Sequence, residues 1–168
     1  EGGSIRVPAS YCGLFGLKPS RGRNPVGPDF SEEWDGMSAS HVLTHSVRDS
    51  AAMLDAISGP EEGASYTITK PKRPFLDEIN RKPGQLRIAF NTESAYGKKV
   101  HPECVKAVEE TAGLLESLGH YVEEAVPSYT EEEVTLNWCI VLMGHVAALI
   151  DEIVRRYGRT VVSRKIEL

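Results

Sequence analysis

The strongest constraint on the fold lies in residues 86–126. Leu86-Arg87-Ile88-Ala89-Phe90 and Tyr121-Val122-Glu123-Glu124-Ala125-Val126 have the length and composition of strands. Between them Val105, Val108, Ala112, Leu115 and Leu118 recur at helical spacing and predict a buried stripe. Pro102 stands at the first turn, where a missing N–H costs little, and Gly119 closes the helix. Pro127 ends the second strand. Strand, helix, strand in this order is a βαβ unit, with parallel strands and a right-handed crossover. It favours an α/β fold over an all-α or all-β one.

On the C-terminal side, Thr130 with Glu133 spells a capping box that opens a helix to about Tyr157. Leu136, Ile140, Met143, Ala147 and Ile150 lie along one face, and Val134, Trp138, Val141, His145, Leu149 and Ile153 along another. Apolar character around that much of the circumference predicts burial on several sides, or a partner surface. Residues 158–168 read as the start of a further element. Earlier in the chain, Ser46 caps a helix to about Ile57, with Asp49 in the capping-box place and Val47, Ala51, Leu54 and Ile57 on its apolar face. Gly59-Pro60 stops it. Residues 60–85, with Pro60, Pro71, Pro74, Pro83 and Gly84, read as a polar linker in which Lys70, Lys72 and Arg73 are solvated. Phe75, Leu76 and Ile79 are expected to form one helical turn docked on the body.

Residues 13–18 read as a buried strand that Pro19 ends. Residues 19–41 read as a loop, and a loop this long is functional or disordered. Its aromatics, Phe30 and Trp34, argue against disorder. They place the loop either at the rim of a site or over the core.

With 168 residues, 40% of them hydrophobic and 26% charged, the chain suits one soluble domain with a core. A net charge of −5 gives no basic footprint, so no nucleic-acid partner is expected. No uninterrupted apolar run approaches the roughly 18 residues of a membrane span, so no membrane partner is expected. The start has neither Met nor a signal-peptide pattern. Cys12, Cys104 and Cys139 are too few and too scattered for a disulfide framework or a zinc cluster. They read as buried free thiols of a reducing compartment, which makes a cytoplasmic location the expectation. His41 and His45 stand four apart with no third ligand near in sequence, so no metal is expected. Gly13-Leu14-Phe15-Gly16 lacks the third glycine of a dinucleotide site, no Walker loop is present, and no cofactor is expected.

The chemistry concentrates at the start, in Glu1-Gly2-Gly3-Ser4-Ile5-Arg6-Val7-Pro8-Ala9. Glycines let the backbone approach a ligand or adopt positive φ, and a serine beside free N–H groups is the local arrangement of a nucleophile with an oxyanion hole. Gly-Gly-Ser is also the composition of a flexible turn. The longer string decides between the two. Gly2 to Ala9, then Cys12-Gly13, then Gly16-Leu17-Lys18-Pro19-Ser20-Arg21-Gly22-Arg23 closely resemble the amidase signature family, as do Thr44-His45-Ser46-Val47-Arg48-Asp49 and Leu54-Asp55-Ala56. Its members are serine hydrolases that cut amide bonds with a Ser–cis-Ser–Lys triad.

The resemblance implies that Ser4 is the acyl-forming nucleophile. The N–H groups of Glu1, Gly2, Gly3 and Ser4 would form the oxyanion hole, and Arg6 would brace the loop against an upstream acid. The catalytic lysine and cis-serine come before the nucleophile in the family, so none of the internal lysines takes that role; Lys18 reads as structural. In the family the position before the helix cap is an arginine, where this chain has His45. Trp138, Cys139, Leu142 and His145 would wall an acyl-substrate funnel, or else pack in a core. The expected whole is one partial domain over 1–168, a mixed sheet flanked by helices and truncated on its N-terminal side. Residues 1–59 hold the nucleophile motif and core, 60–85 the linker, and 86–168 the βαβ unit and long helix. The expected partner is a small-molecule amide, more like aminohexanoate-type oligomers than the substrate of an amidotransferase. The alternatives are a non-catalytic scaffold fragment and an amidotransferase A-type subunit. The fragment by itself is expected to be inactive, and to dimerise through an exposed strand edge.

Overall fold

The computed structural model describes residues 2–28, 32–94 and 97–159. Two units divide the chain, Glu1–Arg81 and Lys82–Leu168.

The first unit opens with a helix that the pattern of residues hides. α1 spans Arg6–Cys12, with Ile5 as an N-cap that makes no side-chain bond and Pro8 inside the first turn. Gly13 ends it in the left-handed conformation (φ 63°), its N–H bonded to the Ala9 carbonyl. The buried strand expected over 13–18 is therefore shorter. Gly13 is consumed as the cap, and only Phe15–Gly16 forms β1, half-buried. Leu17 and Lys18 leave the sheet exposed. β1 pairs antiparallel with β2 (Leu43–Thr44), Phe15 opposite Thr44 and Gly16 opposite Leu43.

α2 spans Val47–Ile57, and the Ser46 hydroxyl accepts the Asp49 N–H at 3.1 Å. The Asp49 carboxylate stands 3.8 Å from Arg48 instead of closing a box. Ala51 and Leu54 are buried, while Val47 and Ile57 at the helix ends are open. Among the described residues the most deeply buried side chain is polar: Ser50, 1% exposed. Residues 60–81 belong to this unit and fold back on it. The expected turn forms as α3 (Phe75–Glu78), capped from α2: the Asp55 carboxylate accepts the N–H groups of Phe75 at 2.7 Å and Leu76 at 2.9 Å. Two orphan donors and one charge are matched at once. Asp55→Ala should cost about 1–2 kcal/mol, the range of a lost cap, read as a lower urea midpoint. An unchanged midpoint would deny Asp55 this role.

In the second unit the βαβ reading holds. β3 (Arg87–Phe90) and β4 (Tyr121–Glu124) pair in parallel, Arg87 opposite Tyr121 through to Phe90 opposite Glu124. Parallel pairing needs a crossover, and α4 (Pro102–Ser117) supplies it. His101 caps α4, its Nδ1 accepting the Glu103 N–H at 3.3 Å. So both kinds of strand pairing occur, in two separate two-stranded sheets. The stripe on α4 is buried at Ala112 and half-buried at Val105, Val108 and Leu115. Leu118, expected within it, is the C-cap and is 64% exposed.

α5 spans Glu131–Tyr157 behind a complete capping box: Thr130 Oγ1 accepts the Glu133 N–H at 3.2 Å, and Glu133 Oε2 accepts the Thr130 N–H at 3.0 Å. The Thr130 N–H and, at 2.9 Å, the Thr130 hydroxyl both donate to Glu133 Oε2 and hold its carboxyl below the usual carboxylate range. The burial expected on several faces is not found. Leu136, Ile140, Met143 and Leu149 are all exposed, Ile140 by 61%. By length and composition alone, Glu132–Tyr157 is long and apolar enough to cross a membrane, although Thr135, Asn137 and His145 interrupt it. Cys12 and Cys104 are exposed and Cys139 is half-buried, so the expectation of buried thiols fails. Phe30 and residues 160–168 lie outside the described residues.

Candidate active site

Residues 2–5 form a turn directly ahead of α1. Gly2 has φ 28° and Gly3 φ 103°, a conformation strained for any residue with a Cβ. A Cβ on Gly3 would also stand 3.2 Å from Val7 Cγ2, and the Gly3 carbonyl accepts the Val7 N–H at 2.8 Å. The glycine thus lets the chain turn sharply into α1 with Ser4 at the bend. Ser4 is exposed, and among the described residues nothing hydrogen-bonds its hydroxyl. An open groove is walled by Gly2, Gly3, Arg6, Val7, Ser10 and Tyr11; Ser4 is not part of that wall. The structure therefore gathers Gly2, Gly3 and Arg6 at one groove, with Ser4 next to them in the chain. Glu1 lies outside the described residues.

Chemically this is an accessible hydroxyl with no base beside it among the described residues. A serine hydroxyl is a weak nucleophile until a neighbour takes its proton. Lys18, the nearest lysine in sequence, donates to the Pro19 carbonyl at 2.5 Å, which ties it to its own loop. Arg6 is exposed and has no acid partner among the described residues. Trp138, Cys139, Leu142 and His145 lie in the second unit on α5. Helical spacing sets Trp138, Leu142 and His145 on one stripe with Cys139 at its edge. Trp138 is exposed and the other three are half-buried.

Two polar clusters of the first unit escaped the sequence reading. In one, Tyr66 of the segment read as linker donates to Glu32 Oε1 at 2.5 Å, which pushes its phenol pKa up. Arg21 stacks 5.6 Å from the Tyr66 ring centroid, and Glu61 Oε2 accepts the Gly27 N–H at 2.9 Å. These bonds fasten Glu61 and Tyr66 to Arg21, Gly27 and Glu32 around a small cavity. Beside it, Trp34 (φ 54°), Asp35 (φ 49°) and Gly36 (φ 71°) make a left-handed turn, costing roughly 1–2 kcal/mol for each non-glycine residue. In sequence the cluster is only a tyrosine and scattered acids, with no spacing to reveal it.

The other cluster pairs His41 Nε2 with the buried Ser50 hydroxyl at 2.9 Å, while Nδ1 is buried without a partner. Charging the ring would put a second N–H where nothing accepts it. Burial accordingly lowers the His41 pKa below its ordinary 6.5, with the Ser50 contact opposing. The unfolded state binds this proton more readily, so the stability from neutral His41 is complete above pH 6.5 and is lost as pH falls through the folded value. Urea midpoints should fall from pH 7.5 to 5.5, and fall less in His41→Gln. Equal falls in both proteins would remove His41 as the cause.

The sequence model of the amidase family matches residues 1–167. The 6-aminohexanoate-cyclic-dimer hydrolase of Pseudomonas sp. (strain NK87) is 40% identical over 128 residues, which are 74% of this chain and 26% of that protein. A solved structure of 6-aminohexanoate cyclic dimer hydrolase complexed with substrate superposes with a TM-score of 0.69 at 39% identity, over 74% of this chain and 27% of that one. The A-type subunit of glutamyl-tRNA(Gln) amidotransferase from Thermotoga maritima superposes with a TM-score of 0.64 at 27% identity, over 97% of this chain and 36% of that one. The chain thus spans about a quarter (26%) of the length of the curated relative. With the Gly2-Gly3-Ser4 turn inside a match that runs nearly end to end, the chain belongs to the amidase signature family.

Proposed function

We propose that the protein hydrolyses small, linear carboxamides through an acyl-enzyme on Ser4. The observation that carries this reading is the exposed Ser4 behind two positive-φ glycines, inside the family match. The Ser4 oxygen attacks the amide carbon. Its proton passes through a second serine to a lysine, both supplied by residues outside these 168, as the family resemblance implies. The oxyanion that forms is held by N–H groups of the Glu1–Ser4 turn; a donor there must reach an oxygen about 2.7–3.1 Å away, and a side chain on Gly2 or Gly3 would crowd it. The C–N bond breaks and the amine leaves with the relayed proton. Water then attacks the Ser4 ester, releasing the carboxylic acid and restoring the hydroxyl. Arg6 holds the turn. The similarity to a 6-aminohexanoate-cyclic-dimer hydrolase supports an aminohexanoate-type amide as substrate.

The test is amine release from linear aminohexanoate amides by the intact protein, alongside labelling with a fluorophosphonate. Neither release nor labelling would overturn the proposal. A second reading, an amidotransferase A-type subunit, is favoured by the 97% coverage of this chain in that superposition. It requires partner chains that co-purify and ammonia release that depends on glutamine.

A further inference from the structure

The first unit carries a groove of about 350 Å³ bordered by Arg23, Lys70, Arg73 and Asp55, with Pro71 and Pro74 in its wall. Its charges are poorly matched from within. Asp55 is the sole carboxylate of the wall, and both its oxygens are already taken by the Phe75 and Leu76 N–H groups. Arg23 gives one N–H to the Thr69 carbonyl at 3.2 Å and lies 5.4 Å from the Phe75 ring centroid. That contact fixes the guanidinium plane and uses one of its five donors. Arg73 engages Glu78 through Nε at 3.0 Å, leaving its two terminal nitrogens without an acid among the described residues. Lys70 has no acidic partner among them.

The C-terminal end of α2 also borders the groove and works against an anion, with roughly half a negative charge. Three full cations outweigh it together with Asp55 and with Glu78, whose charge Arg73 shares with Arg81. This concentration of positive charge stands in a chain of net charge −5. Pro71 and Pro74 fix their own φ, and each restricts the residue before it, Lys70 and Arg73, which limits the backbone freedom around two of the three cations.

We propose that this groove binds a small oxyanion, a carboxylate or a phosphate, clasped by the free guanidinium N–H groups of Arg23 and Arg73 and by the Lys70 ammonium. Guanidinium forks suit the two oxygens of such a group, and the lysine adds a point charge. The site is independent of Ser4 chemistry.

Equilibrium dialysis of the intact protein against inorganic phosphate, and separately against acetate, tests this at constant ionic strength. One saturable site per chain is expected, weakened at least tenfold in the Lys70→Gln/Arg73→Gln double variant. The far-ultraviolet dichroism and thermal midpoint of that variant should match wild type, since neither side chain is buried. Saturation by phosphate alone assigns a phosphate ligand, and saturation by acetate alone a carboxylate. The absence of saturable binding, or binding that survives in the folded double variant, would overturn the proposal.

Discussion

Ser4→Ala should lower kcat/KM on a linear amide by roughly 10⁴-fold or more, about 5 kcal/mol of transition-state stabilisation at 1.36 kcal/mol per decade. The loss should fall on kcat. The hydroxyl makes its bond to the substrate only as the reaction proceeds, so substrate affinity should change little. The fold should be untouched, because Ser4 is exposed and its hydroxyl bonds nothing among the described residues. Some rate should survive, since N–H donors and substrate positioning still act without the nucleophile. Intact mass after fluorophosphonate treatment gives a second readout: one adduct on the wild type, none on the variant. An adduct that persists in Ser4→Ala would move the nucleophile elsewhere.

Gly16→Val should destabilise the first unit by about 3 kcal/mol, the upper part of the range for overpacking. The backbone is not the obstacle. Gly16 lies in β1 without a positive φ, and valine is a good strand residue. Space is the obstacle. A Cβ at Gly16 would stand 2.9 Å from Ala9 Cβ, 3.0 Å from Ile5 Cγ2 and 3.1 Å from the Ile5 carbonyl oxygen. The last of these is backbone and cannot rotate away. Ile5 is the N-cap of α1 and the residue after Ser4, so relief of the clash moves the turn that carries the proposed nucleophile. Misplacement on the scale of 1 Å can cost about 10²-fold in rate. Fluorophosphonate labelling should therefore slow together with the drop in urea midpoint. A full midpoint with full labelling rate would show that the packing of β1 on α1 does not hold this turn.

What could be read along the chain was whatever a few neighbouring residues decide. Thr130 and Glu133 close their box within one turn, Ser46 and Pro102 mark helix starts, and the stripe from Val105 to Leu115 repeats inside one element. The Gly-Gly-Ser turn belongs to the same class, and together with the strings through Arg23 and over Thr44–Ala56 it made the family and the candidate nucleophile legible. α1 was not, because its N-cap lacks a side-chain bond and its seven residues are too few to repeat an apolar stripe. Cys12 and Cys104 were misplaced because composition says which side chains tolerate burial and not which ones receive it.

The remaining features needed the tertiary structure, because each joins segments that the sequence keeps apart. Asp55 caps a helix that starts 20 residues later, Tyr66 meets Glu32 across 34, and Gly16 is forbidden a side chain by Ile5 and Ala9 of another element. The cationic groove arises the same way, from Arg23 and a basic run near residue 70. A cap or a stripe depends on dihedrals and spacings within about four residues. Thus the sequence by itself determined every helix but α1, the parallel βαβ unit and the Ser4 turn, while only the return of the chain on itself decided burial, cross-capping and the groove, since those depend on which distant groups come to share the same space.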